Sequence, residues 1–406
     1  MKIAVISDTH LGYAFGTDRQ EDCFEALEEA FDKAIKEKPD LILMPGDIFD
    51  SRTPRQEVWA KALKLFQKPL LAEKSNAKLV EVSNGRKPSE MALKGIPVIA
   101  IHGTHEKRSL GLVNPVELLD QAGFLIHLHK SYVLFEKQGE KVAVHGFSGV
   151  PEREVKKELE EWSPKPIQDA FNIFMFHQSL KEEIYDVEDS FISIEDLPKG
   201  FDLYIDGHIH WSKYYEDKRL LIAGSTIITQ QKEREAKIKK GFFIIETNPF
   251  KLDFIELENQ RPFYFKEFSF EKADPVQVRE KIREYLEVIP KGEKKPLVKI
   301  KLVGRMQEGR TPSQIDLSDF RSRKDMIVSI DNELEAQELK KLVEELRELH
   351  KSKKSIDEIG EELLLKILSQ TNYEGIKPSQ LIGPLSEGNQ ELVLKMIEEK
   401  VKQAIS

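Results

Sequence analysis

The sequence predicts a layered α/β protein in which two sheets pack on each other and are flanked by helices, followed by a small α+β domain and a helical C-terminal segment. Two observations within the first 260 residues support this fold class. Short apolar runs alternate with helical stretches, and the later runs follow one another with less helix between them, as a second packed sheet requires. Beyond residue 330, strand patterns give way to amphipathic helical patterns.

The first sheet is predicted from apolar runs that do not alternate with polar residues. Residues 3–7, 41–45 and 98–102 are typical of strands covered on both faces, and amphipathic helices are expected at about 21–37 and 54–67. The later runs, attributed to the second sheet, are 142–147, 172–176, 203–206, 220–223 and 242–246. The polar segment 68–94 is interrupted by proline and glycine, which predicts a surface insertion between a helix and a strand.

These patterns divide the chain into three parts. Residues 1–260 form the layered domain, and residues 261–330 alternate strand, helix and strand as a small α+β domain. Residues 331–406 carry apolar stripes at helical spacing, as in Leu342 and Leu346, without strand partners. Two or three amphipathic helices do not easily form a core of their own, so we expect this segment to dock on another surface.

Composition and charge exclude several classes of protein. Among 406 residues 62 are basic and 71 acidic, so the net charge of −9 does not fit a protein that grips nucleic acid with its whole surface. Any DNA contact must therefore be local. No run approaches the roughly 18 apolar residues of a membrane span, and nothing marks the chain for export, so we expect a cytoplasmic protein without a membrane partner. The one cysteine, Cys23, excludes an internal disulfide and a cysteine-based metal cage.

Five short polar motifs follow predicted strands. They are residues 8–10 (DTH), 46–50 (GDIFD), 103–106 (GTHE), His177 and 207–210 (GHIH). In layered α/β folds the carboxyl ends of strands border the ligand crevice, so these motifs can converge on one site. A single Asp-x-His pair is most often an ordinary loop. Five of the ten histidines nevertheless fall in these motifs, each after a strand, and packing alone does not explain that joint pattern.

The residue types in the motifs predict a site for metal ions. Alternate residues of an extended segment point the same way, so Asp8 with His10, and His208 with His210, are each expected to offer two side chains to a metal centre. Imidazole and carboxylate without thiolate suit Mn, Fe or Zn, and a carboxylate such as Asp47 can bridge two ions. The histidines outside the motifs are expected in the core or on the surface; they are His102, His127, His129, His145 and His350.

The motifs resemble those of the calcineurin-like metallophosphoesterases, whose pattern is D-x-H, G-D-x-x-D, G-N-H-[DE], a lone H and G-H-x-H. This likeness covers about residues 1–250. The run 8–13 (DTHLGY), the early helix, the turn 224–226 (GST), the small α+β domain and the helical tail are more narrowly similar to the Mre-eleven/SbcD family of DNA repair nucleases, of the archaeal type. The resemblance implies a metallophosphoesterase sandwich capped by the α+β domain.

The resemblance also implies a role for each motif residue. One ion would be held by Asp8, His10, Asp47 and His210, and the other by Asp47, His177 and His208. Residue 104 departs from the family pattern, because Thr104 stands where the family has an asparagine ligand. Its hydroxyl is a shorter and weaker neutral ligand for the second ion, directly or through water.

Three further motif residues would act around the metals. His105 matches the family's catalytic histidine, which stabilises the leaving group or the transition state rather than binding metal. Asp50 and Glu106 occupy positions that orient neighbouring groups. The basic residues expected near DNA follow the motifs or lie in a later loop; they are Arg52, Arg55, Lys107, Arg108, Lys232, Arg234, Lys237, Lys239 and Lys240.

The function implied by the resemblance is a manganese-dependent DNA exonuclease and endonuclease of a double-strand-break repair complex, with two Mn2+ ions per subunit. The family forms homodimers, binds duplex ends and single strands of DNA, and binds a coiled-coil ATPase of the Rad-fifty/SbcC type, here expected at residues 331–406. One alternative is a phosphatase or phosphodiesterase for proteins or small nucleotides. Another, resting on Thr104 alone, is a non-catalytic metal-binding scaffold that has lost the second ion.

Overall fold

The structure is a computed structural model, and it describes residues 1–83, 85, 87–109, 111–184, 192–336 and 394. Its strands are β1 (Lys2–Val5), β2 (Leu41–Pro45), β3 (Lys78–Val82), β4 (Val98–Ile101), β5 (Ile126–His127), β6 (Ser131–Lys137), β7 (Glu140–Phe147), β8 (Phe171–Phe176), β9 (Leu203–Asp206), β10 (Lys213–Tyr215), β11 (Leu220–Ile222), β12 (Gly241–Thr247), β13 (Phe250–Glu256), β14 (Phe263–Ala273), β15 (Leu297–Met306) and β16 (Ile327–Glu335). Its α-helices are α1 (Asp22–Lys36), α2 (Gln56–Leu71), α3 (Pro115–Gln121), α4 (Val155–Trp162), α5 (Glu233–Lys237), α6 (Pro275–Glu287) and α7 (Ser318–Arg321).

The first sheet contains, within the described residues, six strands in the order β13-β12-β1-β2-β4-β5. Strands β1, β2, β4 and β5 run parallel, while β12 and β13 add antiparallel strands on the other side of β1. The run 242–246, expected in the second sheet, lies in β12 and pairs with β1. That expectation is wrong. An antiparallel strand can join a sheet without a helical crossover, so an apolar run that follows little helix can belong to either sheet.

The second sheet contains, within the same described residues, seven strands in the order β10-β11-β9-β8-β7-β6-β3. Its middle strands β7, β8, β9 and β11 run parallel. The segment 68–94, expected as a surface insertion, supplies the edge strand β3 and the last turn of α2. Strand β3 escapes the sequence pattern because three of its five side chains are exposed and two charged residues, Lys78 and Glu81, interrupt its apolar residues.

The hydrophobic core between the two sheets explains why the central strands do not alternate. In β1, Ile3 and Val5 pack in the cluster shared with the second sheet, which supplies Val144 and Ile173 among others. The intervening Ala4 packs in a separate cluster on the other face of the first sheet. Both faces of the strand are therefore buried, and an uninterrupted apolar run follows.

Helices cover the outer face of each sheet. On the first sheet, α1, α2 and α3 contribute apolar side chains such as Phe31, Phe66 and Leu119 to one cluster. On the second sheet, Val155 and Leu159 of α4 pack with phenylalanines of β8. The predicted two-sheet sandwich flanked by helices is confirmed.

The chain divides into two compact units. The first comprises residues 1–266, 290–299 and 323–329, and the second, within the described residues, comprises 267–289, 300–322 and 330–336. In the second unit, α6 buries Val278, Ile282 and Leu286 at intervals of four residues, which is one apolar face of a helix.

Strand β16 crosses the boundary predicted at residue 330, because it continues to Glu335 in the sheet β14-β15-β16. Asp331 and Asn332, the first two residues of the predicted helical segment, therefore belong to a strand. The predicted helices beyond residue 336 lie outside the described residues, apart from residue 394. In the part of the chain that the structure describes, no helix is long and apolar enough to cross a membrane.

Candidate metal centre

Five strand ends from the two sheets supply the candidate site. In the first sheet, the motifs 8–10, 46–50 and 103–106 follow β1, β2 and β4. In the second sheet, His177 follows β8, and the motif 207–210 follows β9. Because parallel strands present their carboxyl ends at one edge of a sheet, chain segments far apart in sequence meet there.

The predicted ligands form two groups whose donor atoms lie close together. In each group, one donor atom per residue lies within 4.8 Å of the others. The groups are Asp8, His10 and His210, and Asp47, His177 and His208. A further group within the same limit joins His10 and Asp47 to His105. The structure thus brings the predicted carboxylates and imidazoles together, and their separate roles stay predictions.

Four of these residues have a left-handed backbone. The φ angles are +49° at Asp8, +45° at His10, +45° at Asp47 and +64° at His208. The expectation that paired ligands alternate along an extended segment is therefore wrong, since β1 already ends at Val5. A left-handed conformation costs a residue with a Cβ roughly 1–2 kcal/mol. Such strain persists where the surroundings impose it, and it concentrates at functional sites.

The ring of His177 offers an unpaired nitrogen to the site. Its Nδ1 lies 2.8 Å from the carbonyl oxygen of Pro45 and donates to it, so Nε2 is the nitrogen that faces the site. Within the described residues this buried Nε2 has no hydrogen-bond partner, and it lies 3.2 Å from Oδ2 of Asp47. A ring nitrogen this close to a carboxylate oxygen requires a positive charge between them, which a proton or a metal ion supplies. The donor set therefore fits a metal ion.

The shifted pKa values of the buried histidine and aspartates also indicate that this site needs positive charge. Burial by itself lowers the pKa of His177, but the charges of Asp47 and Asp8 outweigh it and raise that pKa to about 10. Burial together with the charge of Asp47 raises the pKa of Asp8 to about 6. Burial would also raise the pKa of Asp47, yet the nearby histidines hold it below its usual value.

A second pair of ring nitrogens faces the other group. Nδ1 of His10 lies 3.0 Å from Oδ1 of Asp50, and Nδ1 of His210 lies 2.5 Å from the hydroxyl of Thr229. The Asp50 carboxylate can only accept, so the proton of His10 lies on Nδ1 and its Nε2 carries a lone pair, 3.2 Å from Nε2 of His210. The two Nε2 atoms are close enough to bind one cation together. In the other group, Ser179 contacts Nε2 of His208 at 3.0 Å, which leaves Nδ1 as the ligand atom.

Thr104 lies beside the Asp47 carboxylate. Its hydroxyl is 3.5 Å from Oδ2 of Asp47, and the backbone N–H of His105 donates to Oδ1 at 2.9 Å. The loop can approach this closely because residue 103 is glycine, where a Cβ would stand 2.2 Å from Oδ1 of Asp47. The hydroxyl therefore reaches the same oxygen that His177 faces.

His105 is the exposed member of the cluster. Its side chain is 46% exposed, whereas those of His10 and His177 are almost fully buried. Nδ1 of His105 lies 3.2 Å from the backbone oxygen of Asp50, and the hydrogen bond to the Asp50 side chain raises the pKa of His105 to about 9. A protonated imidazole open to solvent can reach a substrate that the buried rings cannot.

Glu106 connects two of the motif loops. Its carboxylate is fully buried and accepts hydrogen bonds from the backbone N–H groups of Phe49 and Gly103, both at 2.8 Å. Burial raises the pKa of Glu106 to about 8, although these two donors act in the opposite direction. Glu106 thus fixes the loop of Asp47 against the loop of Thr104, while Asp50 orients His10 and His105.

The basic loop expected to contact DNA is largely engaged within the protein. Lys240 is buried, and its Nζ lies 2.8 Å from the His210 carbonyl, from the Ser225 hydroxyl and from Glu235. Its expected contact with DNA is therefore wrong. Three neighbours also pair with acidic side chains; they are Arg234 with Glu183, Lys237 with Glu233 and Lys239 with Glu256. Arg52 and Arg55, which follow the second motif, are exposed.

Several positioning groups were missed at the sequence level. The Pro45 carbonyl, the Ser179 and Thr229 hydroxyls and the Lys240 ammonium all hold metal-site histidines or their backbone. The partners are separated by up to 132 residues, and serine, threonine and lysine in loops carry no pattern that marks such contacts. The histidines outside the motifs form contacts of their own, such as His102 with His127 at 3.0 Å.

The fold and the donor set together define a phosphoesterase. Residues 1–212 match the family model for the calcineurin-like phosphoesterase, and this chain belongs to that family. The expected resemblance is confirmed.

More particular relatives are double-strand-break repair proteins. The chain is 27% identical over 302 residues to the "Double-strand break repair protein MRE11" of Encephalitozoon cuniculi, a match that covers 70% of this chain and 52% of that protein. It is 26% identical over 313 residues to the "DNA double-strand break repair protein Mre11" of Methanopyrus kandleri, covering 70% and 62%. For the Mre11 protein of Sulfurisphaera tokodaii, identity is 30% over 247 residues, covering 59% and 57%. The chain therefore spans between about half and two thirds of these relatives.

Proposed function

We propose that this chain is a cytoplasmic DNA nuclease subunit for double-strand-break repair, which hydrolyses phosphodiesters with two manganese ions as an exonuclease and endonuclease. The observation that carries the proposal is the pair of ligand groups beside Asp47, in a chain whose relatives are named for double-strand-break repair. The relatives carry these names, and we propose the same function for this chain.

Two sets of side chains would hold the ions, with Asp47 shared between them. Asp8, His10 and His210 complete one set, and His177, His208 and Thr104 complete the other. Nitrogen and oxygen donors without sulfur suit Mn2+. When bound, such ions supply positive charge that polarises the phosphate and stabilises the charge developing on its oxygens. The unpaired nitrogen of His177 supports this assignment.

His105 would act on the leaving group. It is exposed, it lies edge-on to His10 with ring centroids 4.9 Å apart, and Asp50 holds its Nδ1. With Nδ1 held in this way, Nε2 is the nitrogen free to face a substrate. A proton on Nε2 can pass to the departing oxygen of the broken phosphodiester or stabilise its negative charge.

DNA would reach the site through exposed cations beside the second motif. Arg52 and Arg55 are exposed, and the guanidinium of Arg55 lies over the ring of Phe15 at 5.0 Å. Both can contact phosphates locally, as the net negative charge of the chain requires. Lys107 and Arg108 follow the third motif and are half-buried.

The proposed subunit would work as a homodimer and with an ATPase. Leu112 and Val113, just before α3, and Leu118, within it, are 41–52% exposed, which makes this segment a candidate contact between two copies. The coiled-coil ATPase of the Rad-fifty/SbcC type would bind residues 331–406, most of which lie outside the described residues.

Cleavage assays on DNA and on simple esters test the proposed activity. The purified full-length protein is incubated with Mn2+ or Mg2+ and labelled duplex or single-stranded DNA, beside p-nitrophenyl phosphate monoesters and diesters. The proposal requires manganese-dependent cleavage of both kinds of DNA. Activity on the monoester alone would identify a phosphatase, activity on the diester without DNA cleavage would identify a small-substrate phosphodiesterase, and metal binding without any hydrolysis would identify a scaffold.

A further inference from the structure

A cavity of about 280 Å³ adjoins the metal centre on the side of the second sheet. Its wall includes His208 and His210, so the cavity and the metal centre share two side chains. Its other lining residues include Trp211, Gln230 and Arg234. The volume is close to the lower end of the roughly 300–1,000 Å³ typical of small-ligand sites. An occupant of this size would lie directly beside a phosphate bound at the metals.

The wall of the cavity is organised by one buried carboxylate. Glu183 is only 4% exposed, and its Oε2 accepts a hydrogen bond from the indole N–H of Trp211 at 2.7 Å. Its Oε1 accepts from Lys213 at 2.5 Å and from the hydroxyl of Tyr215. Arg234 lies 3.3 Å from Oε2. A buried carboxylate is tolerated when it is paired in this way, and here the pairing fixes the orientation of the indole.

Trp211 and Arg234 form a stacked pair within this wall. The guanidinium carbon of Arg234 lies 4.2 Å from the centroid of the Trp211 ring. Indole rings and guanidinium planes are the side-chain surfaces on which unpaired nucleobases stack. Trp211 is half-buried and directly follows the ligand His210 in the chain, so its position relative to the metal centre is closely restricted.

A purely structural role explains only part of this arrangement. Trp211 packs at the border of the cluster that covers the second sheet, as an ordinary core tryptophan would. A core role, however, does not account for the open cavity beside it or for the cations at its rim. Lys232 and Gln230 are exposed and line the same cavity, so they offer a positive charge and an amide group to an occupant.

We propose that this cavity binds the base of the nucleotide next to the cleaved phosphodiester, with the Trp211–Arg234 pair as its stacking surface. Gln230 faces the polar edge of the base, and Lys232 contacts a neighbouring phosphate. Glu183 is a positioning residue that acts through Trp211. This inference rests on the proposed nuclease function and specifies its substrate as unpaired or locally opened nucleic acid.

The test compares full-length variants on substrates with and without bases. The variants are Trp211→Ala and Trp211→Phe, and the control is Tyr132→Ala, an aromatic residue on β6 whose hydroxyl contacts Glu81. The substrates are a single-stranded oligonucleotide and an oligomer of abasic residues with the same sugar-phosphate backbone. The kcat/KM with Mn2+ is measured for each combination. Circular dichroism and thermal unfolding show whether each variant is folded.

Base stacking predicts a loss that depends on the base. Trp211→Ala should lower kcat/KM on the normal oligonucleotide about 5- to 100-fold, and Trp211→Phe should lower it less. Neither variant should lower kcat/KM on the abasic oligomer, because this substrate has no bases that could stack on Trp211 even in the wild type. Tyr132→Ala should match the wild type on both substrates. Equal losses on both substrates would overturn the proposal and show that Trp211 only supports the fold.

A binding measurement in EDTA separates this inference from the nuclease proposal. Fluorescence anisotropy with labelled forms of the two oligomers should show that the wild type prefers the one with bases and that Trp211→Ala loses this preference. If the wild type shows the preference but cleaves no DNA, the nuclease proposal fails and the base site stands. If the wild type cleaves DNA but shows no preference that Trp211→Ala removes, the base site fails and the nuclease proposal stands.

Discussion

Replacing Lys240 by methionine should destabilise the first compact unit. The Lys240 side chain is 2% exposed, and its ammonium pairs with the equally buried Glu235 at 2.8 Å. Methionine keeps the length and the apolar stem of the side chain but removes the charge. The change would leave the Glu235 carboxylate without its cation, and the His210 carbonyl and the Ser225 hydroxyl would each lose a hydrogen bond.

The magnitude follows from what remains around the carboxylate. Removing one partner of a buried ion pair costs about 3–5 kcal/mol of unfolding free energy. Glu235 keeps a hydrogen bond from the backbone N–H of Gln230 at 3.0 Å, so the lower end, about 3 kcal/mol, is expected. For a unit of this size, about 2 °C of Tm accompanies each kcal/mol. Lys240→Met should therefore lower Tm by about 6 °C.

The assay is thermal unfolding of the metal-free protein, with Lys237→Met as the matched control. Lys237 ends helix α5, three residues before Lys240, and pairs with Glu233 at 2.6 Å, but the two side chains are 70% and 59% exposed. An exposed pair contributes at most about 0.5 kcal/mol, so Tm should fall by about 1 °C or less. If both variants lowered Tm equally, the buried pair would contribute no more than an exposed one, and this reasoning would be refuted.

Three further predictions concern the metal centre and the C-terminal segment. Asp47→Ala should abolish hydrolysis and lower bound manganese, because Asp47 is the ligand proposed to be shared by the two ions, whereas His105→Ala should keep the metal and lower kcat about 100- to 10,000-fold. Thr104→Asn should supply an amide ligand and lower the manganese concentration for half-maximal activity. Leu342→Glu with Leu346→Glu, both outside the described residues, should keep manganese-dependent cleavage of single-stranded DNA and prevent co-purification with the ATPase.

Each of these predictions has an outcome that contradicts it. Elemental analysis showing equal loss of metal in Asp47→Ala and His105→Ala would make His105 a ligand. A half-activating concentration that stays the same or rises in Thr104→Asn would show that the hydroxyl does not replace an amide ligand. Continued co-purification of the double glutamate variant would place the main contact with the ATPase elsewhere.

The sequence predicted the convergence of the site because that convergence depends on topology. Apolar runs without alternation mark buried parallel strands, and their carboxyl ends share an edge, so a motif after each run is enough to bring Asp8, Asp47 and His177 together. The prediction needed no knowledge of side-chain contacts. It also placed His105 beside these residues, and the family resemblance implied a catalytic role for His105 rather than metal binding.

Local geometry and buried polar contacts could not be predicted in the same way. The left-handed backbone at Asp8 and His10 is imposed by contacts with the next loop, such as the hydrogen bond from the Asp8 N–H to the Gly46 carbonyl at 3.2 Å. Lys240 appeared in a loop of mixed charge, where exposed and buried lysines have the same sequence pattern. Its burial depends on His210 and Ser225, which lie 30 and 15 residues away.

The four left-handed residues set stability and activity against each other. At Asp8, His10, Asp47 and His208, glycine would adopt the observed backbone without steric cost, and at Asp8 it would also remove a buried acid whose pKa is raised. Selection for a more stable metal-free chain would therefore replace these residues first. Their presence means that the catalytic edge of the sandwich is also its least optimised part, and that a stabilised version of this enzyme should be sought in the helices and outer strands.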